Sequence, residues 1–368
     1  MKARKIVLWT FVALLLSGTL FAVSITEDIR RNGGTLDIEH LQVGPGTSYS
    51  IDETESAESA GIRRIEIHSD SPDIHLSASN GATASVRLHG SVRSTSEDSV
   101  PHLVQERKGD TLVFRLERAS NVTVGFTSSD LVLDAVLPEA YAGALALSGA
   151  SSDISLQSGH FEELSIRTAS GDLDLGTLSV VQALKLETVS GEIDLDDATC
   201  TTGAVTSVSG DKTVGTLTAA EGLTLGSTSG ATETGTLTAR HLDASTVSGD
   251  MTVENLKADD VRLAGTSAAC RIAALSGSLS ATTVSGDMTF DFDAPGRTIT
   301  VESSSGAVGL RFPDGAGLDV TAQSTSGSVD GNAALSGGEK KEHRWTGTSG
   351  DKSVQVRVKT VSGDIRID

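Results

Sequence analysis

The chain has 368 residues with a formal charge of -20, so electrostatic attraction to nucleic acid or to an anionic membrane surface is excluded as its main business. Two cysteines are too few for a disulfide-stapled mini-scaffold, and 38% hydrophobic residues are too many for general disorder. With 39 Gly and only 3% aromatic residues, the composition points to a turn-rich, aliphatic-cored protein.

Met1 to Lys5 carries three positive charges and is followed by the apolar run Ile6 to Val23. This is the pattern of a secretory signal peptide over residues 1–24, with cleavage expected after Ser24 and Ala22 as the second choice. An uncleaved anchor is the rival reading, because the run just reaches the length that spans a bilayer. Cleavage leaves no stable membrane span, and the mature chain is expected in the periplasm, cell envelope or cell surface.

Residues 25–61 read as a polar, partly disordered leader with at most a strand or two, such as Thr35 to Leu41. Residues 62–147 hold strand candidates at Ile62–His68, Ile74–Ser77, Ala84–Val92, Leu103–Glu106, Thr111–Glu117 and Leu131–Leu137. They are expected to form an irregular cap and the first turns of the repeat architecture that follows, a separate small β-domain being the alternative.

Residues 148–368 are governed by one recurring tetrapeptide, as in Thr188-Val-Ser-Gly191, Ser207-Val-Ser-Gly210, Thr246-Val-Ser-Gly249 and Thr360-Val-Ser-Gly363. Its punctuating glycines are Gly171, Gly191, Gly210, Gly230, Gly249, Gly286, Gly306, Gly327, Gly350 and Gly363, with Ala268 in the glycine position of one repeat. Counting Ala268, the intervals are 20, 19, 20, 19, 19, 18, 20, 21, 23 and 13 residues. A steady period of this size means stacked supersecondary units.

Aligned on the glycine, aliphatic residues fall into columns. Two residues after it stand Leu173, Ile193, Lys212, Thr232, Met251, Cys270, Met288, Val308, Val329, Lys352 and Ile365; five before it stand residues such as Leu186, Val205, Leu225, Val301 and Trp345. The alternation has period two, so each repeat is built of short strands and turns. A single repeat buries too little apolar surface to offset its chain entropy, and like residues must therefore stack in register. The architecture that satisfies this is an all-β, parallel β-solenoid of about 20 residues per turn, right-handed by the general preference of parallel crossovers. The chain ends in a strand, Asp364-Ile-Arg-Ile-Asp368, whose alternating charges read as protection of an open edge, and Gly331 to Trp345 reads as a protruding loop.

The repeats Thr188-Val-Ser-Gly-Glu-Ile193, Thr246-Val-Ser-Gly-Asp-Met251, Thr283-Val-Ser-Gly-Asp-Met288 and Thr360-Val-Ser-Gly-Asp-Ile365 resemble the bacterial family of unknown function whose members are called putative adhesins. The likeness covers about residues 62–368 and implies an envelope or surface location with no assigned catalytic residues.

Ser-Gly-Asp is expected to be turn chemistry, with glycine supplying a positive φ and Ser or Asp bonding neighbouring N–H groups. It lacks the G-x-S-x-G frame of a nucleophile elbow. Asp172, Asp174, Glu192, Asp194 and Asp211 are expected on one outward face, solvated, with a weak Ca²⁺ site as the chemical alternative. Paired acids such as Asp174 and Asp194 are also what a polysaccharide-degrading β-helix enzyme would use, a reading that an Asp-Arg-His constellation in the folded chain would support. The histidines lack metal-ligand spacing, with His68 and His75 expected at the surface, and Cys270 is expected in the core, three turns and more from Cys200 and out of reach of a disulfide. No cofactor is implied. The expected function is that of an exported, non-enzymatic envelope or surface protein, an adhesin or binding scaffold for an unknown surface ligand or envelope protein. An envelope-stress sensor or regulator binding another envelope protein is the alternative.

Overall fold

The computed structural model describes residues 46–94, 96–119 and 128–368. The signal segment, His40 and the Thr35–Leu41 strand lie outside the described residues. The described chain is nearly all strand, and among these residues no helix is long and apolar enough to cross a membrane. It falls into two compact units, one running to Phe161 and including Ile166–Asp172, the other made of Glu162–Ser165 and Leu173–Asp368.

The first unit contains β1 (Thr47–Glu58), β2 (Arg64–Ser69), β3 (Asp73–Ser79), β4 (Thr83–Ser94), β5 (His102–Lys108), β6 (Thr111–Glu117), β7 (Ser128–Pro138), β8 (Ala144–Gly149) and the start of β9 (Ile154–Thr168). Its rungs do not stack in chain order. The β2–β3 rung lies between β6–β7 and β8–β9, all parallel, so Leu112, Ile65 and Leu145 form one inward column and Leu133, Ile74 and Ile154 another. Beyond β6 and β7 the sheet is closed by antiparallel strands, β5 on β6, β4 on β7 and β1 on β4. The leader is thus part of the fold from Thr47 onward, as β1. β1 is held to β4 by a continuous antiparallel backbone ladder from Thr47↔Ser94 to Glu58↔Thr83, with Ile51 buried and the exposed Asp52–Arg87 pair at 2.7 Å adding little.

The second unit is a parallel β-solenoid with about 20 residues per turn. β10 (Leu173–Thr188), β11 (Ile193–Ser207), β12 (Lys212–Ser227), β13 (Thr232–Thr246), β14 (Met251–Gly265), β15 (Cys270–Thr283) and β16 (Met288–Ser303) each pair in register with the next. Each of these strands runs through almost the whole coil. In β10 the inward phase slips at Leu175–Gly176, and the alternation is interrupted again at Val181–Gln182, where the register with β11 shifts, so one strand bends around three interior faces rather than the two strands per repeat that the columns alone suggest. Leu173, Ile193, Lys212, Thr232, Met251, Cys270, Met288 and Val308 share one interior column.

Chain order breaks at the far end. After β17 (Val308–Arg311), β18 (Leu318–Gln323), β19 (Val329–Asp330), β20 (Ser336–Lys341) and β21 (Arg344–Thr348), the final strands β22 (Val354–Lys359) and β23 (Ile365–Ile367) insert between earlier rungs. β22 lies between β16 and β18, and β23 between β17 and β19. The C-terminal strand is therefore not an open edge, and its charges have another task. Asp364 accepts the Ser328 N–H at 2.7 Å and Asp368 the Asn332 N–H at 3.1 Å, tying the inserted rung to the one beyond it.

Gly331 to Trp345 does not simply protrude either. β20 and β21 form a hairpin, and β21 lies antiparallel on the outer edge of β18. Trp345 stacks over Ala322 at the end of the Val301–Val358–Ala322 column, 6% exposed, with Lys340 Nζ 4.1 Å above its ring and 2.8 Å from Asp330. The exposed β20 carries Gly337, Gly338 and the charged run Glu339-Lys340-Lys341, residue types that discourage further strand pairing. Gly350 and Lys352 belong to a left-handed turn, φ 53° and 61°, that carries the chain from β21 to β22, and neither joins the repeat columns.

Candidate functional site

The recurring corner resolves into four jobs. The Thr or Ser three residues before the glycine is buried and bonds the glycine's own backbone, as in Thr246 Oγ1 donating to the Gly249 carbonyl at 2.7 Å and the Gly286 N–H donating to Thr283 Oγ1 at 3.2 Å. The Ser before the glycine donates its N–H to the preceding rung, as in Ser209 to Val189 at 2.8 Å. The Asp after the glycine reaches the following rung: Asp211 accepts the Ala231 N–H at 2.7 Å, Asp250 that of Ala269 at 2.8 Å and Asp287 that of Ala307 at 2.8 Å.

The glycine itself is not there for a positive φ, which the ladder members lack; among the predicted punctuating glycines only Gly350 is left-handed. It is there because the rungs meet backbone to backbone. A Cβ on Gly210 would sit 1.7 Å from the Gly191 carbonyl oxygen, on Gly249 1.9 Å from that of Gly230, and on Gly306 1.9 Å from that of Gly286. At the far end Gly363 lies over Gly306 and Gly327 over Gly363, the same exchange of order seen in the strands. Gly171 meets Ser152 in the first unit, and Gly191 takes an N–H bond to Thr188 Oγ1 at 2.9 Å. Thr246→Val is expected to cost about 1–2 kcal/mol, the usual cost of leaving a buried polar partner unmade, read as a lower midpoint in urea unfolding with secondary structure intact.

Asp174 and Asp194 lie directly opposite each other on adjacent rungs and face outward, followed in the same column by Thr213, Glu233, Thr252 and Arg271. Arg271 is a member that column reading from the sequence passed over. Asp211 is engaged as the inter-rung acceptor just described, and the Asp172 N–H bonds Asp153 at 2.8 Å within the first unit. Among the described residues no group of three or more His, Cys, Asp or Glu is placed to hold a metal ion, so Asp172, Asp174, Glu192, Asp194 and Asp211 are not gathered into one.

Sequence reading also missed a cluster in the first unit. β7 carries Asp134 between β3 and β4, where His89 Nε2 lies 2.8 Å and His75 Nδ1 3.4 Å from its carboxylate, and Arg87 pairs with Asp52 alongside. His68 meets Ser148 at 2.6 Å. The cluster combines Asp, Arg and His, with Asp134 and His89 half-buried. Asp174 and Asp194 are in the other unit. Both cysteines are free thiols. Burial pushes Cys200 up to about 11 and Cys270 up to about 12.

Coiled rungs closed by antiparallel strands, with a Thr-x-Ser-Gly-Asp corner, define a repeat-built β-solenoid of a particular family. The family model described as Toastrack DUF4097 matches residues 62–220 and again 204–368, and the chain belongs to that family. No curated protein matches the chain. Among solved structures it is similar to a putative cell adhesion protein from Clostridium sporogenes, with 10% identity, TM-score 0.21, and 87% of this chain and 99% of that one covered. It is also similar to a putative adhesin from Parabacteroides distasonis, with 14% identity, TM-score 0.36 and 73% and 94% covered. A putative adhesin from Bacteroides fragilis gives 12% identity, TM-score 0.32 and 86% and 97% covered.

Proposed function

We propose that the protein is exported and works as a non-enzymatic scaffold of the cell envelope or surface, presenting the outward ladders of its solenoid to a surface ligand or envelope protein. The observation that carries this reading is the Asp174–Asp194–Thr213–Glu233–Thr252–Arg271 column, a run of outward polar side chains repeated rung by rung along the coil. Such a ladder suits an extended, rigid contact rather than a small substrate. The signal pattern of Met1 to Ser24 supports export.

Protease added to intact cells is expected to cleave the mature chain if it stands at the outer surface. Capture from envelope fractions with the purified chain is expected to recover a glycan or matrix component, weakened by Asp174→Lys with Asp194→Lys. Recovery of a single stoichiometric membrane protein instead favours the regulator. The Asp134 cluster favours one further reading, polysaccharide cleavage. Turnover of an acidic polymer that disappears in Asp134→Asn would replace the scaffold by an enzyme.

A further inference from the structure

The chain contains three methionines and two cysteines, and apart from Met1 and Cys200 all of its sulfur sits in one place. Met251, Cys270 and Met288 occupy successive rungs of a single interior column, Met251 opposite Cys270 and Cys270 opposite Met288. The two methionines are buried and Cys270 is partly exposed. All three line a small apolar cavity together with Ala268 and Gly265.

The cavity has a local cause. Gly265 and Ala268 are the repeat's departures from pattern, since Gly265 stands where the other corners carry the buried Thr or Ser that bonds the turn, as Thr246 and Thr283 do on either side. A Cβ at Gly265 would meet Thr283 Oγ1 only at 3.4 Å and the Ala268 carbonyl at 3.8 Å, so there is room for the missing side chain. The corner has given up its hydroxyl beside the sulfur column, and the space opens onto Cys270.

We propose that Met251, Cys270 and Met288 form a binding site for a soft, thiophilic monovalent cation of the Cu(I) type. Two thioethers and a thiol are the donor set that such an ion prefers over the hard oxygen-seeking cations. Cys270 stands on the middle rung with a methionine on the rung to either side, and all three side chains line the one cavity, so an ion seated there can draw on all three sulfurs. Binding converts the Cys270 thiol to a thiolate and releases its proton to solvent.

The test uses the intact chain, reduced and oxygen-free, with Ag(I) titrated in native mass spectrometry and Cu(I) supplied against the chelator bicinchoninate. One ion per chain is expected. Cys270→Ser should weaken it at least about 100-fold, while Met251→Leu and Met288→Leu, which keep the core volume, should each weaken it about 10-fold. Gly265→Ser refills the cavity without touching a sulfur, and is expected to impair binding in a folded chain. Cys200→Ser should change nothing. No ion taken up by the native chain, or uptake that Met288→Leu and Cys270→Ser leave at full strength, overturns the site.

Discussion

Gly210→Ala is expected to cost at least about 4 kcal/mol, the range reserved for substitutions that break a structural element rather than trim it. The added methyl would sit 1.7 Å from the Gly191 carbonyl oxygen and 2.6 Å from its carbon, both backbone atoms of a rung that is itself paired on both sides. No rotamer relieves this contact, so two rungs must part, and with them go the Ser209-to-Val189 bond and the adjoining ladder. Gly222→Ala is the control. Its Cβ meets nothing within 4 Å and its backbone is not left-handed, so it should be neutral or stabilise by about 0.4–1 kcal/mol through the unfolded chain. Urea unfolding of the two variants measures the difference. Equal midpoints would mean that the corner glycines are not set by close stacking.

That contrast also shows what the sequence could and could not convey. The interior columns were legible because in-register parallel stacking makes one repeat the template of the next, so Leu186, Val205, Leu225 and Val301 could be aligned before any fold was known. The reason for the glycine was not legible, because a close approach between backbones leaves the same mark in a sequence as a positive φ. Strands of the first unit were readable from their alternation, but their pairing was not: β2–β3 lies between rungs that follow it in the chain, a choice made by tertiary contact alone. The far end did leave a trace. The intervals of 23 and 13 residues around Gly350 depart from the period, and the shorter one is too small for a complete coil. They record the antiparallel detour through Trp345 and the return of Val354–Ile367 as a partial rung. At the sulfur column the residues were visible and the cavity was not, since the hydroxyl missing at Gly265 has meaning only once Thr246 and Thr283 are seen bonding their turns.

Lys212→Met should stabilise the solenoid by about 3 kcal/mol at pH 7, an unusual direction for a core substitution. Lys212 stands in the inward column between Ile193 and Thr232, 1% exposed, and its Nζ donates to Ser207 Oγ at 2.7 Å. Ser207 Oγ in turn donates to the Gly210 carbonyl at 2.6 Å, so the ammonium is held by a hydroxyl, and among the described residues no carboxylate is buried with it. Burial lowers its pKa from the ordinary 10.5 to about 8, with the neighbouring Asp211 opposing the shift from outside. Below about pH 8 the lysine is protonated in both folded and unfolded chains, and the whole cost of burying its charge bears on the fold. Between about 8 and 10.5 the folded chain gives up a proton that the unfolded chain keeps, so the native protein gains stability as pH rises and the cost is gone above that window. Methionine fills a similar volume with no charge, and its advantage should be largest at pH 7 and shrink markedly by pH 10, as read from urea midpoints at the two values. An advantage that stays constant across that window would show that the lysine's charge is not what the core bears, and that its packing, stem and hydroxyl bond are.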